Sequence, residues 1–152
     1  MSKRGSYNEF QFAWWILILI PVWLGVIIAT EDRADLHLIS ILISPITILC
    51  VLIALLFYGM KTTVTGSKIT IAFGIGLIRK SIDLSTVQSV KSVKNQWYYG
   101  WGIRMIPNGW LYNIAGLRAV EIKRKDKNSV LRIGSKHPEI LRKVISDGIS
   151  DL

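Results

Sequence analysis

Two stretches without a single charged side chain dominate the first 60 residues. Phe12 to Thr30 supplies 19 such residues and Leu38 to Met60 another 23. A helix needs about 20 apolar residues to cross the hydrocarbon layer of a bilayer, so each stretch is long enough. Two such runs in a chain of 152 residues argue against an ordinary globular enzyme occupying its whole length. They predict a two-helix transmembrane hairpin over residues 12–60, preceded by an N-terminal tail over residues 1–11. Pro21 and Pro45 read as kinks that lipid-embedded helices tolerate. Trp14, Trp15 and Tyr58 read as rings near the membrane interface. A cleaved signal peptide fits less well, because the first run exceeds the usual apolar region and Ile27-Ile28-Ala29 is a poor cleavage site.

Charge sets the expected orientation. The connection Glu31 to His37 holds one basic residue, Arg33, whereas Lys3 and Arg4 precede the first run and 16 Lys and Arg follow the second. Basic residues near the ends of spans stay on the cytoplasmic side. Both termini are therefore expected in the cytoplasm, with the hairpin in a bacterial plasma membrane and the acidic loop outside.

After Met60 the hydrophobic period changes. Lys68 to Phe73 alternates, which places Ile69, Ile71 and Phe73 on one face of a strand. Gly74-Ile75-Gly76 is a turn candidate, and Leu77 to Ile82 reads as the returning strand. Thr86 to Val93, Tyr99 to Ile106, Trp110 to Ile114, Ala119 to Lys123 and Val130 to Ile133 are further strand candidates, punctuated by Pro107-Asn108-Gly109 and by Lys125 to Asn128. Pro138 and Glu139 suit a first helical turn. Beyond them Ile140, Leu141, Val144, Ile145 and Ile149 form one apolar stripe. The reading is about six or seven short antiparallel strands closed by one amphipathic helix.

Three stretches carry a likeness to a known family. They are Thr65 to Leu84 with Val87-Gln88-Ser89-Val90, then Tyr99-Gly100-Trp101-Gly102-Ile103-Arg104, then Arg118 to Ile122 with Leu131 to Glu139. Together they resemble the bacterial pleckstrin-homology-like (PH-like) domains of small membrane proteins, over roughly residues 62–150. The resemblance implies a cytoplasmic PH-like split β-barrel over residues 61–152, capped by a C-terminal α-helix; with the transmembrane hairpin before it, the expected fold class is α+β. It implies little chemistry, since this fold hosts lipid binding, peptide binding and scaffolding alike.

Signals for catalysis are poor. His37 and His137 fall on opposite sides of the membrane in this reading and cannot share a metal. The acids after residue 60 form no close pair suited to acid/base work. No nucleophile elbow, zinc motif or phosphate loop occurs. Cys50 is a lone cysteine within the second run, and no metal, cofactor or enzyme activity is expected.

Charge and aromatic content remain. Residues 61–152 carry 16 basic and 6 acidic side chains, a net +10. Lys61, Lys68, Arg79 and Lys80 are candidates for contact with an anionic lipid, the alternative being that such charges only solvate strand faces. Residues 97–112 hold six of the chain's 15 aromatics. Trp97, Tyr99, Trp101 and Trp110, with Arg104 among them, are candidates for a partner surface, because Trp, Tyr and Arg are typical hot-spot residues. Burial in the barrel core and contact with lipid are the competing readings, and no nucleic-acid motif is present. The expected function is a noncatalytic membrane-tethered scaffold or interaction module that docks a protein partner, with anionic-lipid sensing as the alternative and part of a membrane enzyme or transport complex less favoured.

Overall fold

The computed structural model describes residues 6–30, 36–126 and 128–151. Its first element is a strand within the segment expected to be a tail. Strand β1 (Tyr7–Phe12) pairs antiparallel with β2 (Gly59–Thr65), from Tyr7 opposite Val64 to Phe12 opposite Gly59. Residues 13–58 loop out between these two neighbours. The excursion contains a 3-10 turn (Trp14–Ile18), helix α1 (Leu19–Thr30) and helix α2 (Leu36–Phe57).

This arrangement overturns the transmembrane hairpin. Among the described residues, no helix is long and apolar enough to cross a membrane. The first uncharged run is divided: Phe12 ends a strand, Trp14–Ile18 is a 3-10 turn, and α1 has only 12 residues. At 1.5 Å per residue that helix spans about 18 Å, against a hydrocarbon layer about 30 Å thick. In the second run, α2 carries Pro45, and its last turn is used for packing within the fold. Ala54, Phe57 and Tyr58 pack against the core, and the Leu55 carbonyl accepts a 3.2 Å hydrogen bond from the Ile75 N–H. With the hairpin fall the integral-membrane partner, the transmembrane tether and the bacterial plasma-membrane placement with cytoplasmic termini. The acidic connection 31–35, Lys3 and Arg4, on which the orientation rested, lie outside the described residues.

Nine strands are present among the described residues, rather than six or seven, and they form two sheets instead of one split barrel. Sheet A has the order β1-β2-β3-β4, with β3 at Lys68–Phe73 and β4 at Ile78–Asp83. Sheet B has the order β5-β8-β9-β7-β6. Its strands are β5 (Val87–Lys94), β6 (Gly102–Ile106), β7 (Gly109–Asn113), β8 (Arg118–Arg124) and β9 (Val130–Gly134). The β7–β9 pair is parallel, against the expectation of antiparallel strands throughout. Asp83 turns the chain from one sheet to the other: its carboxylate accepts from the Ser85 N–H at 3.0 Å and the Ser85 hydroxyl at 2.8 Å. Those bonds hold the Asp83 carboxyl below its usual range.

Alternation explains the core. Met60, Val64, Ile69, Ile71, Phe73 and Ile82 line one face of sheet A, and Val120, Ile122, Leu131 and Ile133 meet them from sheet B. Each such aliphatic side chain contributes roughly 1.5–3 kcal/mol by leaving water. Helix α3 (Pro138–Ser150) closes the space with Leu141 and Ile145. Ile140, placed on the same stripe by its spacing, is exposed.

Candidate functional site

The period of a strand decides which basic residues can act together. In the β3–β4 register Ala72 faces Arg79, whereas Ile71 faces Lys80. Ile71 is fully buried, so Lys80 lies on the inner face of sheet A, beside Ile78 and Ile82. Arg79 lies on the outer face, with Lys68 and Lys61. The four residues considered for lipid contact are therefore divided, three to one, between opposite faces. Arg79 is also occupied locally, its Nε donating to the Gly76 carbonyl at 2.6 Å.

Lys80 escapes burial because β4 is the edge of sheet A. There the sheets open into a cleft of about 270 Å³, lined by Lys80, Trp110, Tyr112, Arg124, Ser129 and Leu131. Every contributor has a local reason to be there. Trp110 and Tyr112 are alternate residues of β7 and sit in register beside Leu131 and Ile133 of β9. The Tyr112 ring meets Phe73 with centroids 6.2 Å apart. Burial pushes its phenol above the usual range, against the opposing charge of Arg124. Arg124 ends β8 opposite Val87, next to a bulge. The following residue is pinned to the inter-sheet linker: Lys125 N–H donates to Thr86 O at 2.8 Å, and Lys125 Nζ to Ser85 O at 3.0 Å.

Arg124 stands out electrostatically. Its side chain is only 20% exposed, and its Nε lies 3.8 Å from Asp126 Oδ1, beyond hydrogen-bond reach. That Nε is buried and has no hydrogen-bond partner among the described residues. A buried donor left unpaired costs about 1–3 kcal/mol, more when charged. The cleft thus gathers Lys80, a serine hydroxyl and two aromatic rings around a guanidinium whose hydrogen bonding the fold leaves incomplete.

The aromatic segment resolves into separate places. Trp97, Tyr98 and Tyr99 form a 3-10 turn, with Trp97 78% and Tyr98 64% exposed. Their rings meet edge to face, at 6.0 Å for Trp97–Tyr98 and 5.0 Å for Tyr98–Tyr99. Trp101 stacks on Trp15 with centroids 6.4 Å apart and planes 5° apart. Arg104 donates from Nε to the Trp101 carbonyl at 3.0 Å. Trp110 belongs to the basic cleft instead.

Two buried carboxylates escaped the sequence reading as structural centres. Glu9 accepts from the hydroxyls of Tyr7 and Ser135, from Gln11 Nε2 at 2.6 Å, and from the Lys136 N–H at 2.9 Å. Burial pulls its pKa upward, but these donors outweigh it and hold the carboxyl below the usual range. Glu121 is likewise opposed by burial but held low by Lys91 at 3.0 Å and Arg132 at 2.8 Å. The signal available for Glu9 was its polar alternation with Tyr7 and Gln11. For Glu121 it was a lone acid inside an apolar strand.

Compared with known proteins, the chain matches no family model and no curated protein.

Proposed function

We propose that this protein is a noncatalytic interaction module that docks another protein through the surface formed by Trp97, Tyr98, Tyr99, Trp101 and Arg104. The observation that carries the reading is the exposure of Trp97 and Tyr98, at 78% and 64%. Large rings in water are the usual anchors of a protein interface, where burial in a partner supplies most of the binding energy. Trp97, Tyr98 and Tyr99 are braced by edge-to-face contacts with one another, and Trp101 by its stack on Trp15. A braced surface loses little conformational entropy on docking. The noncatalytic half of the reading is supported by the two buried carboxylates: Glu9 and Glu121 stay ionised and are engaged by donors of the fold itself.

The test is site-specific photo-crosslinking of the full-length protein in its native cells. A benzophenone side chain at position 98 should yield a discrete protein adduct. The adduct should disappear with Trp97→Ala and be missing from a probe at exposed Lys123. An equal adduct from both positions, or none at 98, rejects the reading.

A further inference from the structure

We infer that the cleft between β4 and sheet B is a binding site for a small ligand that joins an oxyanion to a planar ring. The site is independent of the docking surface proposed above, since none of Trp97, Tyr98, Tyr99, Trp101 and Arg104 lines it. Two cations converge there from different sheets, Lys80 from β4 and Arg124 from β8. The acidic group near them is Asp126, whose Oδ1 stands 3.8 Å from Arg124 Nε. It partly balances one positive charge without coming within hydrogen-bond distance, and the Nε itself is buried, so a ligand meets the guanidinium as a charge and not through that nitrogen. Guanidinium and ammonium groups bind phosphate and carboxylate oxygens through charge-assisted hydrogen bonds, the guanidinium often through two at once. The Ser129 hydroxyl adds a neutral donor at the same wall.

The ring half of the ligand follows from the rest of the sheet B wall, formed by β7 and β9 and facing Lys80 of sheet A. Trp110 is 47% exposed although it projects to the inner side of sheet B, so its face is available across the opening. Leu131 and the Tyr112 ring continue that wall. A volume of about 270 Å³ admits a single substituted ring with its anionic group, and no extended chain. Lys80 fixes the anion end at the sheet edge, which is open to solvent, so the ligand enters along β4.

The inference is tested by calorimetric titration of the full-length protein with phenyl phosphate, inorganic phosphate and glycerol 3-phosphate. Phenyl phosphate should bind saturably, at least about tenfold more tightly than the other two. Arg124→Gln and Lys80→Gln should each weaken it by about tenfold or more. Trp110→Ala should bring phenyl phosphate to within about twofold of inorganic phosphate, because only the stacking contribution is removed. Lys80 is exposed, so Lys80→Gln keeps the test valid should Arg124→Gln fail to fold. Phenyl phosphate without saturable binding, or binding indifferent to Lys80→Gln in the folded protein, overturns the site. Equal affinity for phenyl phosphate and inorganic phosphate overturns the ring, and a preference for glycerol 3-phosphate assigns the cleft to an aliphatic headgroup and overturns it too. Photo-crosslinking at position 98 does not depend on any of these outcomes.

Discussion

Glu9, in the first strand, accepts a 2.9 Å hydrogen bond from the hydroxyl of Ser135, which lies 126 positions further along the chain. The bond ties sheet A to the end of sheet B at the point where α3 begins. Ser135 in turn accepts from the His137 N–H at 3.0 Å, at the N-terminal boundary of that helix. Glu9→Gln keeps the shape and removes the charge that these donors satisfy. It should lower the unfolding free energy by about 1.5–3 kcal/mol, read from urea midpoints at neutral pH.

The same carboxylate makes an acid-side prediction. Its pKa in the folded chain lies below the usual glutamate range. The unfolded chain therefore takes up its proton first as pH falls. The stabilisation is complete above the ordinary glutamate pKa and is lost as pH drops through the folded value. Thermal midpoints of the wild type should fall across that window more steeply than those of Glu9→Gln. Parallel curves reject the assignment.

Tyr7 gives the alkaline counterpart. Burial, reinforced by its hydrogen bond to Glu9, raises the phenol to about 12. A free tyrosine ionises near 10. Stability is unaffected below that value and declines as pH climbs toward the folded one, because the unfolded chain loses the proton first. Absorbance titration at alkaline pH should show two late-ionising tyrosines, Tyr7 and Tyr112, and Tyr7→Phe should remove one of them.

Gly74 allows a comparison within one protein. Its φ is +51°, and a Cβ there would run into the carbonyls of Leu55 and Leu56 at the end of α2. Gly66 has φ +59° with nothing within 4 Å. Gly66→Ala carries only the left-handed backbone cost, about 1–2 kcal/mol. Gly74→Ala adds the clash and should cost at least about 1 kcal/mol more, by chemical denaturation.

Stability also separates the two halves of the aromatic surface. Trp97→Ala should stay within about 0.5 kcal/mol of the wild type, since the ring is largely in water. Trp101→Ala removes the stacked partner of Trp15 and should cost at least about 0.5–1.5 kcal/mol. Equal losses for both would mean that Trp97 is held by packing and is no docking anchor.

Which elements of this architecture a sequence reader can see follows from where the information sits. The Ile69, Ile71, Phe73 stripe is local and fully inward, so the period of two reveals it, and all three are buried. Leu141 and Ile145 of α3 are legible in the same way. Strand β1 is not, because its inward residues Tyr7, Glu9 and Gln11 are polar and hydrogen-bonded to groups more than a hundred positions away. The uncharged runs mislead for a related reason. Ala13, Ile16, Met60 and Phe57 look the same whether lipid or a protein core receives them, and here the core does, while Ile18, Ile20, Val22, Ile48 and Leu49 of the same runs are exposed. Adjacency groups Lys80 with Arg79, although neighbours in a strand point to opposite faces. Arg124 carries no signal of its own. Its importance comes from a buried nitrogen that only three-dimensional placement exposes as unpaired.

The strands β1 and β2 both run straight into the helical excursion at the same end of the sheet, joined there by the Ala13 N–H to Tyr58 carbonyl bond of 2.9 Å. A tug on the two helices in opposite directions loads this pair like a zip fastener. Its rungs would open in succession from Phe12 and Gly59, where a pull along the strands would have strained them all together. Trp15, whose indole N–H holds the Ile114 carbonyl at 3.2 Å, is the catch that must release before the first rung gives way.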